Sequence, residues 1–443
     1  MVAVAAGLHV PPYDAVVDRL VTAHVGPAAN GLDVEPFRGL RYSAAAVGDL
    51  AGVTSPPYDV VDAAGVRTLE STNEHNVVRL ILPRDDDCGP EGRYRHAAAT
   101  LHAWIADGTL LLDTAPGLYV YEQVRVGQVL QRGIIGAVAL HDPADLVILP
   151  HEETMPGPVA DGLELMRAGD ANIEPIFLVY NGGEGAAAAL VEVVAGPPLI
   201  TAQTDDGIEH RLWAVTGGSH LETLRGDLSS RTAMIADGHH RYAAYRALQA
   251  ERRAARGPGP WDFGLALLVD LSSFPPAVGA IHRSIAGLAI SRAVELALAA
   301  GFAERASGTA FDLTKLEPVA PGEWVLVDGV GTYVRLVINE PQDVAPYLPR
   351  DRSEQWRNLD TAVLHHALIE GIWRVDEAAV AYHHSAAGAL SAATDEGSVA
   401  VLMAPVDVAT VFELAAAGET MPRKSTSFGP KPRTGWVLRT FDS

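Results

Sequence analysis

The sequence predicts a mixed α/β protein. Short β-type runs such as IEPIFLVY and FGLALLVDL alternate with helix-type runs such as YRHAAATLHAWIADG and AAAALVEVV along the chain. Hydrophobic residues make up 48% and charged residues 20%, which is the composition of a chain that folds. At about 150 residues per domain, 443 residues imply more than one core.

The elements justify that class in order. Residues 1–34 read as an extension holding one helical piece, YDAVVDRLVTAHV. A first α/β unit is expected over 35–140. In it TSPPYDVV is an extended segment, because each proline fixes its own φ and pushes its predecessor toward β. NVVRLIL reads as a strand, YRHAAATLHAWIADG as a helix stopped by Gly108, and GLYVYEQVRV with GIIGAVAL as paired strands. A second unit is expected over 141–288. VILPHEETM leads into a helix through GLELMRAGD, with Thr154 or Asp161 as its cap. IEPIFLVY, RLWAV, TAMIADG and FGLALLVDL supply strands, and the unit ends with AIHRSI. A third α/β unit is expected over 289–443, with helices at SRAVELALAAGF, LDTAVLHHALIEGIW and VATVFELAAAG. Its strands are expected at EWVLVDG, TYVRLVI and SVAVLMAP.

The formal net charge is -22, from 33 Lys plus Arg against 55 Asp plus Glu. Such a chain repels the phosphate backbone overall, which argues against nucleic acid and anionic membranes as partners. The lone Cys88 sits among aspartates in RDDDCGPEG and reads as a bystander, and no intramolecular disulfide can form. The apolar N-terminus lacks a basic stretch and carries Pro11 and Pro12, so neither a signal peptide nor a membrane span is expected and the cytoplasm is the expected location.

IADGHHRYAAYRALQAE holds the densest chemistry. A strand ends at Asp237, Gly238 permits close backbone approach, and a helix begins at His239. A helix start offers unpaired N–H groups and a positive dipole end, which suit phosphate or carboxylate. Arg241 in the first turn opposes that dipole unless it faces an anion. The plain alternative is a buried helix capped by Asp237. His239 and His240 point about 100° apart on an α-helix and would not share one ion. The pairs His365–His366 and His383–His384 also occur, and no Cys/His cluster has zinc spacing. Lysine is scarce: Lys315, Lys424 and Lys431 are the whole complement. Two of them lie in MPRKSTSFGPKPRTG, with Arg423, Arg433, Ser425, Thr426 and Ser427, a credible anion-binding loop without a Walker pattern.

GHHRYAAYRALQAE resembles the GCHRYAAYQ-type turn of sulfiredoxin, an ATP-using enzyme with a ParB-like fold. The resemblance gives His240 and Arg241 a phosphate-holding role and implies a central ParB/sulfiredoxin-like nucleotide-binding unit. His239 stands where sulfiredoxin has its cysteine, so the repair chemistry does not carry over. The Asp-Gly-His-His-Arg version is similar to free-serine kinases of the same superfamily. By that analogy Glu152 in LPHEETMPGP acts as base toward a substrate hydroxyl, with Asp237 and His239 as further catalytic candidates. A wider resemblance runs from Pro36 to Asp442. PFRGLRY, SPPYDVV, NVVRLIL, LPHEETMPGP, the turn, SEQWRNLD and GETMPRKSTSFGPKPRTGWVL are similar to the family called domain of unknown function 1015.

The candidate set follows. Gly238, His240, Arg241, His282, Arg283, Lys424, Ser425 and Lys431 are assigned to phosphate or nucleotide, and Tyr58 and Asp59 to substrate. ATP or ADP with Mg2+ through Asp237, Asp59 or Glu152 are the expected cofactors. The expected function is nucleotide-dependent phosphoryl transfer to a small hydroxylated metabolite, with serine first. A non-catalytic nucleotide- or phosphometabolite-binding regulator is the alternative.

Overall fold

A computed structural model describes residues 31–85, 89, 92–310, 312, 316–394 and 397–442. The expected N-terminal helix, Cys88 and Lys315 lie outside the described residues. The fold is mixed α/β, and the chain divides into two compact units. One comprises residues 1–276 and 430–443, and the other, residues 277–429, interrupts it in sequence. The sequence reading divides the chain at residues 140 and 288 instead. Strands from both sides of residue 140 share one sheet, because the long hairpin before it is the partner of a strand after it.

That sheet has nine strands. In chain order they are β1 (Val34–Glu35), β4 (Leu118–Arg125), β5 (Gln128–Ala139), β6 (Ile148–Leu149), β8 (Ile176–Tyr180), β9 (Ile200–Gln203), β10 (Glu209–Val215), β11 (Ala233–Asp237) and β12 (Phe263–Asp270). Outside it, β2 (Leu40–Tyr42) pairs with β3 (Leu110–Leu112), and β7 (Ala171–Asn172) pairs with β21 (Arg439–Thr440). The order is β6-β11-β8-β12-β5-β4-β10-β9, with β1 beside β5. β6 and β11 run parallel, as do β8 and β12, and the other pairs are antiparallel. The runs IFLVY and GLALLVD are buried along nearly their whole length, as strands covered on both faces must be. Val126 and Gly127, with φ of 50° and 78°, form the tight turn between β4 and β5.

NVVRLIL does not form the expected strand. Val78–Ile81 is a helical turn, started by the Asn76 side chain, which accepts from Val78 N and donates to the carbonyls of Gly52 and Thr54. A short apolar run has no period of its own, and here the polar residue before it decides. The helix Pro156–Gly169 begins at Met155 without a side-chain cap; Asp161 binds Arg93 and Tyr94 instead.

The second unit holds a six-stranded antiparallel sheet, order β15-β17-β16-β19-β14-β18. The strands are β14 (His282–Ile285), β15 (Phe302–Thr309), β16 (Glu323–Asp328), β17 (Thr332–Ile338), β18 (Val380–His383) and β19 (Val399–Met403), with a separate pair β13 (Ala277–Gly279) and β20 (Ser427–Gly429). Its core joins Trp324, Leu336 and Val401 to the apolar face of Val363–Trp373. That segment is expected as an α-helix but is π-helical.

Leu268 lies fully buried on β12, between β8 and β5. Leu268→Ala is expected to cost about 2–5 kcal/mol through lost contact and the cavity left behind. Urea unfolding followed by a probe in the first unit checks this; an unmoved midpoint would contradict the central place given to β12.

Candidate functional site

The site grows from the ends of two parallel strands. β6 and β11 pair through Ile148–Ala233 and Leu149–Met234, so both leave the sheet on the same side. β6 is followed by His151 and Glu152, and β11 by the turn Asp237–Gly238–His239. The two exits touch: His151 N donates to His239 Nε2 at 3.3 Å, and the rings meet edge to face at 4.5 Å. β11 carries an irregularity against β8 between Ile235 and Asp237, which re-aims the strand end.

Gly238, at φ 93°, caps the helix His239–Arg256 in the left-handed region, and no side chain caps it. A Cβ there would sit 3.1 Å from the Arg241 guanidinium, so glycine is required by both dihedral and space. Asp237 is not the cap. Its carboxylate is occupied on both oxygens, Oδ2 accepting from Arg241 at 2.5 Å and Oδ1 from Lys431 Nζ at 2.5 Å. The Lys431 ammonium also donates to Asp59 Oδ2 at 2.6 Å. Asp59, Asp237, Arg241 and Lys431 therefore form one ionic cluster.

Arg241 turns inward. It is 8% exposed, donates through its other terminal nitrogen to the Pro175 carbonyl, and lies 5.8 Å from the Tyr58 ring centre. The guanidinium expected to face an anion is engaged within the fold. Glu174 is the buried carboxylate beside it. Its Oε1 accepts from Tyr58 N and Thr434 Oγ1, both at 3.1 Å. Burial pushes the Glu174 carboxyl up, against the pull of Arg241. Burial would lower the Lys431 ammonium, but Asp237 and Asp59 overcome it and raise it. Burial also forces His239 down to about 3, with His240, Arg241 and Lys431 adding to the effect, and burial holds His151 at about 3. Both imidazoles are neutral at pH 7.

Two recesses flank the cluster. One, of about 580 Å³ including its mouth, runs between helices Gly92–Ala106, Pro156–Gly169 and His239–Arg256, with Glu174 and Arg241 as its polar wall. The other is an open cleft of about 750 Å³ lined by Tyr58, Arg93, Tyr94 and Asp161.

The remaining candidates lie in the second unit. His282 Nδ1 accepts from Met403 N at 3.2 Å. Arg283, 2% exposed, donates to the carbonyls of Ile281 and Lys424 and packs on Tyr382. Lys424 is exposed at φ 54°, and Ser425 is buried with its hydroxyl on the Pro422 carbonyl. These hydrogen bonds knit the unit's own loop to its sheet. Glu152 is partly buried and keeps company with His151, whose imidazole feels its charge.

Residues 34–362 match the family described as "Protein of unknown function (DUF1015)". The chain belongs to this DUF1015 family. None of the curated proteins matches it in sequence. Among solved structures, SbnI with a C-terminal truncation, from Staphylococcus aureus, aligns over 69% of this chain and 87% of that one, at 13% identity and a TM-score of 0.36. A free serine kinase in complex with ADP aligns over 64% and 84%, at 14% identity and 0.32. A conserved hypothetical protein from Pyrococcus furiosus aligns over 72% and 99%, at 13% identity and 0.32. Among the described residues, no helix is long and apolar enough to cross a membrane.

Sequence reasoning on this DUF1015 chain missed Glu174, Thr434 and His151. Nothing local marks them, because their partners lie 71 to 260 residues away in the chain.

Two outcomes are expected from this geometry. A depressed His239 pKa means the unfolded chain binds a proton the folded one refuses between about pH 6.5 and 3. Its stabilising contribution is full above pH 6.5 and declines as pH falls toward 3. His239→Gln should flatten the acid limb of stability against pH, and the wild-type His239 imidazole signals should stay constant from pH 5 to 8 by NMR. Arg241→Met leaves Asp237 and Glu174 without their buried cation and should cost about 3–5 kcal/mol. Chemical denaturation reads that loss, and a neutral result would remove Arg241 from the cluster's core.

Proposed function

We propose that this protein is a nucleotide-dependent phosphotransferase acting on a small hydroxylated metabolite, with free serine as the first substrate to test. One observation carries the reading: Asp59, Asp237 and Lys431 converge at a helix start that no side chain caps and that Gly238 opens in the left-handed region. The resemblance of the Asp-Gly-His-His-Arg turn to that of free-serine kinases supports it.

The roles follow from the geometry. The N–H groups at the start of the helix, with the His240 side chain, hold the nucleotide phosphates. Lys431, held by Asp237 and Asp59, brings a further cation to this corner. Arg241 is a positioning residue, since it acts through Asp237 and the Pro175 carbonyl. In the transfer step the substrate hydroxyl oxygen forms a bond to the terminal phosphorus and the bridging O–P bond of the nucleotide breaks. The shortened nucleotide leaves, and the hydroxyl proton passes to the Glu152 carboxylate. With ATP the product is ADP, and with ADP it is AMP.

Asp59 and Asp237 are the carboxylates that would hold Mg2+, since hard oxygens are what this ion takes, and the ion would displace the Lys431 ammonium that both now bind. Mg2+ held by them would neutralise charge on the phosphates. Tyr58, next to Asp59 and facing the open cleft, borders the substrate's entrance.

Incubation with serine, Mg2+ and either ATP or ADP should yield phosphoserine, detected by mass spectrometry. Glu152→Gln should lower turnover about 10²–10⁴-fold while nucleotide affinity stays near wild type. Absence of any phosphorylated product over a panel of hydroxylated metabolites with both donors would overturn the transferase reading, and retained nucleotide binding in that case would identify a sensor.

A further inference from the structure

The second unit carries a cluster that the proposed function does not use. His365, His366 and Glu370 lie on the π-helical segment Val363–Trp373, and one ligand atom from each lies within 4.8 Å of the others. The backbone explains the meeting. An α-helix stacks residue i on i+4, whereas the i→i+5 bonding of a π-helix widens the turn by one residue. Glu370 thus reaches both members of the histidine pair. Its Oε2 is 2.7 Å from His366 Nδ1, and its Oε1 is 3.3 Å from His365 Nε2.

From this arrangement we infer that His365, His366 and Glu370 form a binding site for a divalent transition ion of the zinc type. Two imidazole nitrogens and a carboxylate are the donors such an ion prefers, and they are poor donors for Mg2+ or Ca2+. A tetrahedral ion with bonds of about 2.0–2.1 Å separates its ligand atoms by roughly 3.4 Å. One ligand atom from each residue lies within 4.8 Å of the others, so small side-chain shifts reach that spacing, with the 2.7 Å His366–Glu370 contact opening to admit the ion. Three protein ligands leave one coordination position for water, and Glu370 is exposed enough to admit it.

The surroundings suit ligation. His365 turns its other nitrogen, Nδ1, toward Glu377 Oε2 at 3.9 Å, the direction in which a carboxylate orients a metal-bound imidazole. Trp356 packs against the His366 ring at 5.6 Å and limits its rotation. π-helical turns persist mostly where a site requires them, because the wider turn is otherwise disfavoured.

The test uses the full chain without added histidines, stripped with a chelator and then titrated with zinc alone by calorimetry. One saturable equivalent is expected. Glu370→Gln and His366→Gln should each abolish it or weaken it more than about 100-fold, and Glu377→Gln should weaken it about 10–100-fold. His383→Gln, outside the cluster, should leave it unchanged. Cobalt should give visible ligand-field bands in the wild type that vanish in Glu370→Gln. Matching thermal melts of the metal-free variants exclude misfolding as the cause. No saturable zinc binding, or binding equal to wild type in both Glu370→Gln and His366→Gln, would overturn the assignment.

Discussion

The Asp237 carboxylate is the point on which the first unit's architecture turns. One oxygen holds Lys431 and the other holds Arg241. Lys431 in turn holds Asp59, 372 positions away in sequence. Three distant segments are therefore tied at the place where a buried strand becomes a helix. The second unit, residues 277–429, is inserted before the segment that brings Lys431 back. That segment must return to the first unit for the cluster to exist, and its contacts show how it does. Thr434 and Ser55 exchange backbone bonds, Leu438 pairs with Leu40, and Arg439 with Asn172. The ionic cluster and the closing segment depend on each other.

Withdrawing Asp237, Arg241 and Lys431 from water together with a further carboxylate is costly unless each finds a partner, and Asp59 closes the chain at its exposed end. Here they alternate: Asp59, Lys431, Asp237, Arg241, then Glu174 beyond. The same positive groups decide the state of the neighbouring histidines. His239 is denied a proton by burial and by the cations around it, and His151 by burial and by His239. The net result is a strand-to-helix corner whose side chains hold fixed charges and whose helix start no side chain caps.

Much of this was legible in the sequence, for reasons particular to each residue. Long apolar runs such as IFLVY and GLALLVD gave their strands, because continuous burial leaves a continuous pattern. The scarcity of lysine pointed to Lys431, and Asp59 and Asp237 were singled out by their turns, yet only tertiary structure joins them. Lys424 shared the same motif but falls on the other side of the unit boundary, which no local pattern marks. The alternative of Asp237 as a helix cap stayed open because the sequence cannot show that both of its oxygens are already occupied. Glu174 was invisible: a single acid before Pro175 has no signature, and its burial comes from Tyr58, Thr434 and Arg241. NVVRLIL failed as a strand because Asn76 captured the next turn.

The two histidine pairs show how far the backbone, and not composition, assigns chemistry. His239 and His240 open an ordinary α-helix, so adjacent side chains diverge, and His239 is carried inward to His151. His365 and His366 have the same dipeptide sequence, and an α-helical reading would separate them in the same way. The π-helix changes the period, and both reach Glu370, five and four residues on. Sequence periodicity presupposes a helix type. Where the wider turn replaces the α-helix, residues that a 3.6-residue period holds apart become neighbours, and a pair dismissed on spacing acquires a common partner.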